Sequence, residues 1–285
     1  MLLINGKEIS EKICGELNHK IDFLKNKGII PTIALIQVGD NPASAVYVRN
    51  KIRLCDKLGI VGQLHHLEES TSEADLIALI NRLNDDDKVN GILVQLPVPK
   101  HIDENKVIDA ISPNKDVDCF HAKNVGLLWT AKRDFNGILP CTPYGVIQML
   151  KRSNIELKGK NVVIIGRSNI VGKPLASLFL LENATVTVCH SGTQNLAQIC
   201  AKADVLVPCI GKAKFVTKEF TNPYQVIIDV GINRDENGKL CGDVDFENVK
   251  DSVYAISPVP GGVGPMTIIM LLNNLINVTY AQNNL

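Results

Sequence analysis

The chain has 285 residues, of which 45% are hydrophobic, enough apolar material for two cores of ordinary size. Its 30 basic residues balance its 30 acidic residues, which argues against nucleic acid or an anionic membrane as partner and favours a small molecule. The first residues lack the pattern of a secretory signal, and no apolar run approaches the roughly 20 residues that span a bilayer. We therefore expect a two-domain globular protein of the cytosol or an organelle matrix, with a cytoplasmic location as the prediction.

The eight cysteines are scattered along the chain and form no Cys-x-x-Cys pair. The adjacent residues His65 and His66 are the one histidine couple near any of them. This distribution predicts reduced thiols rather than disulfides, and it predicts no metal site.

Helix and strand patterns alternate through the first half of the chain. Apolar residues at helical spacing predict a first helix that ends at Gly28, followed by a strand over residues 32–39. A second helix is predicted over residues 44–58, with Ser44 as its N-cap, and a strand follows near residues 60–67. The pattern continues with a helix over 72–83, a strand over 91–96 and a helix over 102–111.

The second half repeats this alternation. A helix is predicted around residues 145–150, and strands are predicted over 161–166, 185–190, 204–211 and 226–231, the third of which should end at Pro208. A last helix over about residues 266–280 either closes the second unit or returns to the first. Such alternation predicts an α/β fold in which right-handed crossovers join parallel strands.

A glycine-containing loop is the strongest local signal in the second half. A strand, a glycine turn and a helix are predicted for the stretch NVVIIGRSNIVGKPLASLF, residues 161–179. Gly166 would permit a sharp turn and Gly172 close helix packing, so that free N–H groups of the first helical turn would face an anion. The third glycine of the dinucleotide-binding pattern is absent, so an ordinary glycine-containing turn is the alternative.

Several polar residues of the first half lie where α/β proteins bind ligands. Tyr47 and Lys51 share one helix face, although a packed ring beside a solvated ammonium would show the same spacing. Gln95 ends a predicted parallel strand, where it either lines a ligand crevice or caps neighbouring backbone. Of Asp116 and Asp118, one is expected to cap a turn and the other to bind a ligand, and the spacing does not distinguish them.

Seven segments together resemble the bifunctional methylenetetrahydrofolate dehydrogenase/methenyltetrahydrofolate cyclohydrolase family, the FolD-like enzymes: SAVYVRNK, GILVQLPVPKHID, PNKDVDCFH, PCTPYGV, GRSNIVGKP, DVGIN and PVPGGVGPMT. The resemblance covers nearly the whole chain in the family's order. It implies oxidation of 5,10-methylenetetrahydrofolate with a nicotinamide cofactor, then hydrolysis of the methenyl product to 10-formyltetrahydrofolate. It also implies a homodimer of chains with two α/β domains flanking a cleft, the second a Rossmann-like parallel-sheet dinucleotide-binding domain.

The resemblance implies domain boundaries and site residues as well. Residues 1–139 would form the folate-binding catalytic domain, residues 140–267 the NAD(P)-binding domain, and the C-terminal helix 268–285 would return to the first. Lys51 would be the catalytic lysine and Gln95 its partner, while Tyr47 stacks on the folate and Asp118 anchors the pterin. The further implied substrate contacts are Leu96, Pro97, Pro260, Gly261 and Gly262. The implied cofactor contacts are Gly166, Arg167, Ser168, Gly172, Ser191 and Ile232.

Elementary chemistry agrees with these roles. Hydride transfer from a carbon already activated by two nitrogens needs mainly orientation, whereas hydrolysis of the resulting cation needs a proton carrier. A lysine carries protons only if it is neutral part of the time, so burial must lower its pKa from the usual value of about 10.4. A carboxylate such as Asp118 suits an amino-pyrimidine edge because it accepts two hydrogen bonds.

The end of the second strand of the second half predicts the choice of cofactor. An NAD-specific site places an acidic residue about 20 residues past the first glycine, but the sequence there reads TVCHSGT. Arg167 with Ser191 would instead hold a 2′-phosphate, which predicts NADP. Gly192 stands where family members often carry a basic residue, and this removes one possible cation.

Two further departures from the family affect the predicted site. Cys119 replaces a glycine that is usual in the family, so the residue is expected to be strained if that position has positive φ. Because His121 is the one histidine near it in sequence, an inert thiol is expected rather than a nucleophile. Pro208 and Cys209 replace small residues near where the nicotinamide should lie.

Two alternative functions remain open at this stage. One is an NADP-dependent dehydrogenase of another small metabolite on a similar two-domain frame. The other is a nucleotide-sensing or scaffold protein that has lost turnover, which the retained Tyr47, Lys51, Gln95 and Asp118 argue against.

Overall fold

A computed structural model of the chain describes residues 1–132 and 135–285. The chain forms two compact units. Unit A comprises Ile13–Leu127, Asn136–Leu139 and Leu271–Leu285, and unit B comprises Met1–Lys12, Leu128–Phe135 and Pro140–Met270.

The first half of the chain alternates helices with short strands. Its elements are β1 (Leu2–Leu3), α1 (Gly6–Asn26), β2 (Thr32–Val38), α2 (Pro42–Leu58), β3 (Val61–Leu67), α3 (Glu73–Asp85), β4 (Gly91–Val94), α4 (Glu104–Ala110) and α5 (Ala122–Trp129).

The second half contains the larger sheet and a small hairpin. Its elements are α6 (Cys141–Arg152), β5 (Asn161–Ile165), α7 (Gly172–Leu181), β6 (Thr185–Cys189), α8 (Leu196–Cys200), β7 (Val205–Pro208), β8 (Val226–Ile227), β9 (Asn233–Arg234), β10 (Leu240–Cys241), α9 (Phe246–Val249), β11 (Ala255–Ile256) and α10 (Val263–Gln282). Short 3₁₀ turns occupy Lys218–Phe220 and Lys250–Ser252.

Unit A is built on a three-stranded parallel sheet with the order β3-β2-β4. Every residue of the central strand β2 is buried, which explains its nearly continuous apolar sequence. The chain runs from β2 to β3 on one side and later to β4 on the other, so the strand order reverses between β2 and β4. Ligands of open α/β sheets bind beside the carboxyl ends of strands at such a point.

Unit B contains a six-stranded sheet with the order β1-β11-β8-β7-β5-β6, and all its pairs are parallel. The strand order reverses between β5 and β7, as in doubly wound dinucleotide-binding folds. The predicted α/β class, with a Rossmann-like parallel sheet in the second half, is confirmed. The strand predicted to end at Pro208 does end there, because proline has no N–H to donate to the sheet.

Each end of the chain belongs to the unit with which it forms hydrogen bonds. Residues 1–12 group with unit B because β1 pairs with β11, whereas the sequence-based boundary assigns them to residues 1–139. Residues 271–285 group with unit A, where the buried Asn274 Nδ2 donates to the carbonyl oxygens of Val117 (2.9 Å) and Leu139 (2.6 Å). The assignment of functional roles to residues 1–139 and 140–267 stays a prediction.

The predicted N-cap of α2 is wrong. Ser44 lies inside the helix, which begins at Pro42, and its backbone N–H donates to Asn41 Oδ1 at 3.1 Å. A proline at the first helical position has no N–H to satisfy and a backbone φ already suited to a helix, so the helix begins two residues earlier. Asn41 therefore caps α2.

Helix α10 is long and apolar enough to cross a membrane by length and composition alone, but 67% of the relevant window is buried inside the fold. Burial of that extent is what a core helix shows. All eight cysteines are free thiols, six of them buried, as the sequence predicts.

Candidate active site

In unit A, a lysine and a glutamine 44 residues apart in sequence are in direct contact. Lys51, on α2, is only 7% exposed, and its Nζ donates to Gln95 Oε1 at 3.0 Å. Gln95 follows β4, and its backbone N–H donates to the Ile36 carbonyl of β2 at 2.8 Å. Because β2 and β4 are neighbours, the residue after β4 lies close to the helix that follows β2.

The Gln95 amide is fixed from both ends. Its Nε2 donates to the Leu96 carbonyl at 2.7 Å, so its Oε1 is the atom that remains for the amine of Lys51. The contact holds the Lys51 amine beside the end of β4. Leu96 is half-buried and Pro97 is exposed, and the peptide bond between them is cis.

Tyr47 lies one helical turn before Lys51 on α2 and is half-buried. Burial raises the pKa of the Tyr47 phenol, which keeps it neutral. Residues four apart on a helix project from the same face, so the Tyr47 ring is available on the face that carries the Lys51 amine.

The structure distinguishes the two aspartates that spacing left equivalent. Asp116 is 3% exposed, and its carboxylate accepts the backbone N–H groups of Phe120 (3.2 Å) and His121 (2.9 Å) and the Nδ2 of Asn124 (2.9 Å). Asp118 is half-buried within the turn that Asp116 holds. Asp116 is therefore the residue that caps the turn, and Asp118 is the aspartate at the more accessible position.

Replacing Asp116 with asparagine should loosen this turn. The amide NH₂ would face at least one of the three donors, and we expect a loss of about 1.5–3 kcal/mol in the free energy of unfolding. The measurement is a denaturant unfolding curve compared with that of Asp109→Asn, an exposed aspartate of α4. Equal unfolding midpoints for the two variants would contradict the capping role.

Cys119 adopts the left-handed conformation expected of the glycine it replaces. Its φ is 62°, its side chain is 2% exposed, and its Sγ donates to the Ile138 carbonyl at 3.2 Å. Burial raises the pKa of the Cys119 thiol, with Asp116 and Asp118 acting in the same direction, so the thiol stays protonated. A protonated, buried thiol fits the expectation that Cys119 is inert.

Substitutions at Cys119 should show the cost of its backbone conformation. We expect Cys119→Gly to be more stable than Cys119→Ala by about 1 kcal/mol, because only glycine adopts positive φ without strain. At the buried Cys14, inside α1, the order should reverse, since alanine is favoured over glycine in a helix by about 1 kcal/mol. Thermal unfolding of the four variants tests both orders, and the same order at both positions would be inconsistent with strain at Cys119.

In unit B, both glycines of the predicted phosphate loop are required by close backbone contacts. Gly166 has φ 131°, and a Cβ there would lie 2.7 Å from the carbonyl oxygen and the Sγ of Cys209. A Cβ at Gly172 would overlap the carbonyl oxygen of Gly166. The loop thus passes beside the ends of β5 and β7, where the strand order reverses and where a dinucleotide would bind.

The first turn of α7 differs from the expectation of free N–H groups. The backbone N–H groups of Val171 (3.1 Å) and Gly172 (3.3 Å) donate to Ser168 Oγ, and that of Lys173 donates to the Ser168 carbonyl at 3.1 Å. Ser168 therefore holds the residues that lead into the helix, whose N-cap position is Val171. An anion at this loop would rely on exposed side chains, of which Arg167 carries a positive charge.

The turn after β6 carries no acidic residue over positions 190–193. His190 Nδ1 accepts the Gly192 N–H at 3.1 Å, and the His190 N–H donates to Thr193 Oγ1 at 2.8 Å, which leaves Ser191 exposed on a fixed turn. The absence of a carboxylate here fits a ribose that carries a 2′-phosphate better than one with a free 2′-hydroxyl.

The remaining predicted contacts also lie in unit B, on two loops. Ile232, after β8, is 49% exposed. Pro260 is exposed, Gly261 has φ 99°, and the Gly261 carbonyl accepts the Lys7 N–H at 3.0 Å. Gly262 is buried, and a Cβ at Gly6 would overlap its carbonyl oxygen.

Two buried carboxylates of unit B escaped the sequence analysis. Asp229 is 2% exposed and Asp243 is 0% exposed. Burial raises the pKa of Asp229 to about 7, and backbone N–H donors of Val244, Asp243 and Gly231 act in the opposite direction. The signal that would have revealed them is an aspartate that interrupts an apolar strand in VIIDVG and another that follows a glycine in CGDVDF.

Known protein families match both halves of the chain. Residues 4–118 match the tetrahydrofolate dehydrogenase/cyclohydrolase catalytic-domain family, and residues 140–283 match the corresponding NAD(P)-binding-domain family. The bifunctional protein FolD of Lachnoclostridium phytofermentans is 56% identical over 275 residues, which is 96% of each chain.

Solved structures are similar over the full length. The bifunctional FolD enzyme of Campylobacter jejuni is 48% identical with a TM-score of 0.96 and covers 100% of both chains. The FolD of Trypanosoma brucei, solved in complex with NADP cofactor and an inhibitor, is 35% identical with a TM-score of 0.95, covering 100% of this chain and 99% of its own.

Proposed function

Because this chain belongs to the tetrahydrofolate dehydrogenase/cyclohydrolase family, we propose that it oxidises 5,10-methylenetetrahydrofolate with NADP and hydrolyses the methenyl product to 10-formyltetrahydrofolate. The observation that carries the proposal is the buried contact between Lys51 Nζ and Gln95 Oε1 at 3.0 Å. Of the two reactions, hydrolysis is the one that needs such a proton-carrying group.

In the oxidation, the protein's task is to bind and orient. The methylene carbon lies between two nitrogens whose lone pairs stabilise the cation that forms, so no strong acid or base is required. When bound, oxidised NADP accepts the hydride from this carbon. Tyr47 would stack on the folate ring system, and Asp118 would accept two hydrogen bonds from the pterin edge.

In the hydrolysis, protons must move at two stages. Water adds to the methenyl carbon and loses one proton. The adduct then opens: the bond from that carbon to N5 breaks, N5 gains a proton, and the hydroxyl of the adduct loses its proton as the formyl group forms, so one proton is released overall. We assign the proton transfers at the water and at N5 to the amine of Lys51, with Gln95 holding that amine in place.

The remaining substrate contacts are part of the same proposal. Leu96 and Pro97 directly follow Gln95 and would contact the folate beside the lysine. The loop of Pro260, Gly261 and Gly262 would supply further contacts to the substrate, largely through backbone atoms, since two of its three residues are glycines.

For the cofactor, the residues present fit NADP. Gly166 and Gly172 let the loop fold closely against Cys209 and against itself at the end of β5, where a pyrophosphate would bind, and Ser168 holds the residues that lead into α7. Arg167 and Ser191 would bind the 2′-phosphate. The exposed Ile232 would contact the cofactor from the end of β8. No acidic side chain at residues 190–193 opposes the phosphate.

We propose that residues 1–139 and helix 268–285 form the folate-binding part of the chain and that residues 140–267 form the cofactor-binding part.

We also propose that the protein is a homodimer located in the cytoplasm. Among the described residues, β6 is an edge strand of the six-stranded sheet, and Val188 on it is 37% exposed, which makes this edge available to a second copy. Light scattering of the purified protein tests the dimer, and a monomeric mass at micromolar concentration would refute it.

Separate assays of the two reactions test the function. We expect NADPH to form from methylenetetrahydrofolate and NADP, and we expect methenyltetrahydrofolate to be consumed faster than its spontaneous hydrolysis when no cofactor is present. Failure of the second reaction with success of the first would restrict the protein to a dehydrogenase. Failure of both would refute the proposal.

A further inference from the structure

In unit B, the carboxylate of Asp243 holds the loop that follows β7. Its Oδ2 accepts the backbone N–H groups of Ile210 (2.7 Å) and Gly211 (3.2 Å), and its Oδ1 accepts that of Lys212 (2.8 Å). The same Oδ1 also accepts the Nδ2 of Asn233, on β9, at 2.9 Å. One buried carboxylate thus fixes three consecutive peptide groups and the first residue of the hairpin formed by β9 and β10.

The carboxylate of Asp229 holds the segments on the other side. Its Oδ1 accepts the N–H groups of Gly231 (2.9 Å) and Asp243 (3.0 Å), and its Oδ2 accepts that of Val244 (2.9 Å). The backbone N–H of Asp229 donates to Ser257 Oγ at 2.9 Å. Asp229 and Asp243 are therefore linked into one network that ties the loops after β7 and β8 to the segment after β10.

Two glycines allow each carboxylate to reach the backbone of the other segment. A Cβ at Gly231 would overlap the carboxylate of Asp243, and a Cβ at Gly242 would overlap the carboxylate of Asp229. The reciprocal arrangement leaves little freedom for the peptide groups of residues 231–233, between which the exposed Ile232 lies.

The order of strands places this network relative to a bound dinucleotide. The glycine loop follows β5, and the turn that would bind the 2′-phosphate follows β6, at one edge of the sheet. The other half of a dinucleotide that crosses the reversal point must then lie beyond β5, at the carboxyl ends of β7 and β8. Those ends are the segments that Asp229 and Asp243 hold.

We propose that Asp229 and Asp243 are positioning residues for the nicotinamide half of the cofactor. They fix the backbone of residues 210–212 and 231–233, and they thereby place Ile232 against the nicotinamide half. This inference rests on the proposed function for the identity of the cofactor. Neither carboxylate needs to touch the cofactor, because the peptide groups that it holds present the contact surface.

The test is NADP binding by Asp243→Asn, measured by calorimetric titration beside the two activities. An asparagine turns an NH₂ group toward two of the four donors however it is oriented, so the loops should shift. We expect the Kd and KM for NADP to rise about 10-fold or more, with cofactor-free hydrolysis of methenyltetrahydrofolate within about twofold of wild type. A merely structural role would lower both activities together.

The matched control is Asp235→Asn in the same hairpin, whose carboxylate accepts the N–H groups of Asn237 (3.0 Å) and Lys239 (2.9 Å) away from the network. Its NADP binding should equal that of wild type. If Asp243→Asn does not fold, Asn233→Ala decides, because it removes a single donor to Asp243 and leaves the carboxylates in place.

A weaker NADP affinity with intact hydrolysis supports the inference, in Asp243→Asn or, if that variant does not fold, in Asn233→Ala. Unchanged NADP affinity in a folded Asp243→Asn protein, or in Asn233→Ala if the first variant does not fold, overturns it, as does a parallel loss of both activities. Absence of turnover in the wild-type protein would count against the proposed function alone, because the titration with NADP still tests the inference.

Discussion

Replacing Lys51 with methionine is expected to abolish the hydrolysis of methenyltetrahydrofolate, with a loss of about 100- to 10,000-fold in rate. Methionine nearly matches the length of lysine and is tolerated in a buried position, but it cannot take a proton from water or return one to nitrogen. The dehydrogenase rate should fall much less, because hydride transfer depends on how the folate and cofactor are held. The measurement is the rate of each reaction at saturating substrate.

The control for this experiment is Lys57→Met. Lys57 lies on the same helix, α2, but is exposed near its end, so this variant loses the same charge from the same element. Both activities of the control should equal those of wild type. Full hydrolysis by Lys51→Met would remove the lysine from the mechanism and would move the search for a proton carrier to Asp118 or to water.

Replacing Arg167 with alanine is expected to weaken NADP far more than NAD. The guanidinium would make charge-assisted hydrogen bonds to the 2′-phosphate, which NAD lacks, and loss of such contacts costs about 1.5–3 kcal/mol, or roughly 10- to 150-fold in affinity. Gly192 supplies no second cation, so in this proposal Arg167 would determine the preference for NADP together with the neutral Ser191. KM for each cofactor in the dehydrogenase reaction measures the effect.

Lys158→Ala is a suitable control for Arg167→Ala. It removes one positive charge from an exposed position of unit B that lies ahead of β5 and outside the glycine loop. Its ratio of NADP to NAD affinity should match that of wild type. An equal loss for both cofactors in Arg167→Ala would mean that Arg167 binds the pyrophosphate or stabilises the loop.

The sequence predicts best those helices and strands whose spacing of apolar residues reflects which of their faces are buried. Strand β2 is nearly continuously apolar because both of its faces are covered. Helix α3 lies close to its predicted range of 72–83, and Ser72 is its N-cap, whose hydroxyl accepts the Asp75 N–H at 3.1 Å. The two-residue strands β1 and β11 carry no periodicity, and their pairing depends on distant parts of the chain. Their absence from the predicted elements follows from that.

The candidate site, too, could be predicted from the sequence only in part. Helical spacing places Tyr47 and Lys51 on one face, but the contact of Lys51 with Gln95 depends on β4 lying beside β2, which no local pattern contains. Spacing does not distinguish Asp116 from Asp118, and the capping role of Asp116 emerged only with its burial and its hydrogen bonds. Asp229 and Asp243 form one network across 14 residues, and sequence spacing alone does not reveal such a pair.

This one chain is expected to carry out both reactions on the same one-carbon unit. The most direct measurement follows a single sample of purified protein with methylenetetrahydrofolate and NADP, recording NADPH and 10-formyltetrahydrofolate together over time. We predict that both form in the wild-type protein, and that Lys51→Met forms NADPH while methenyltetrahydrofolate accumulates. NADPH formation by the wild-type protein with no 10-formyltetrahydrofolate above the spontaneous rate would contradict the account.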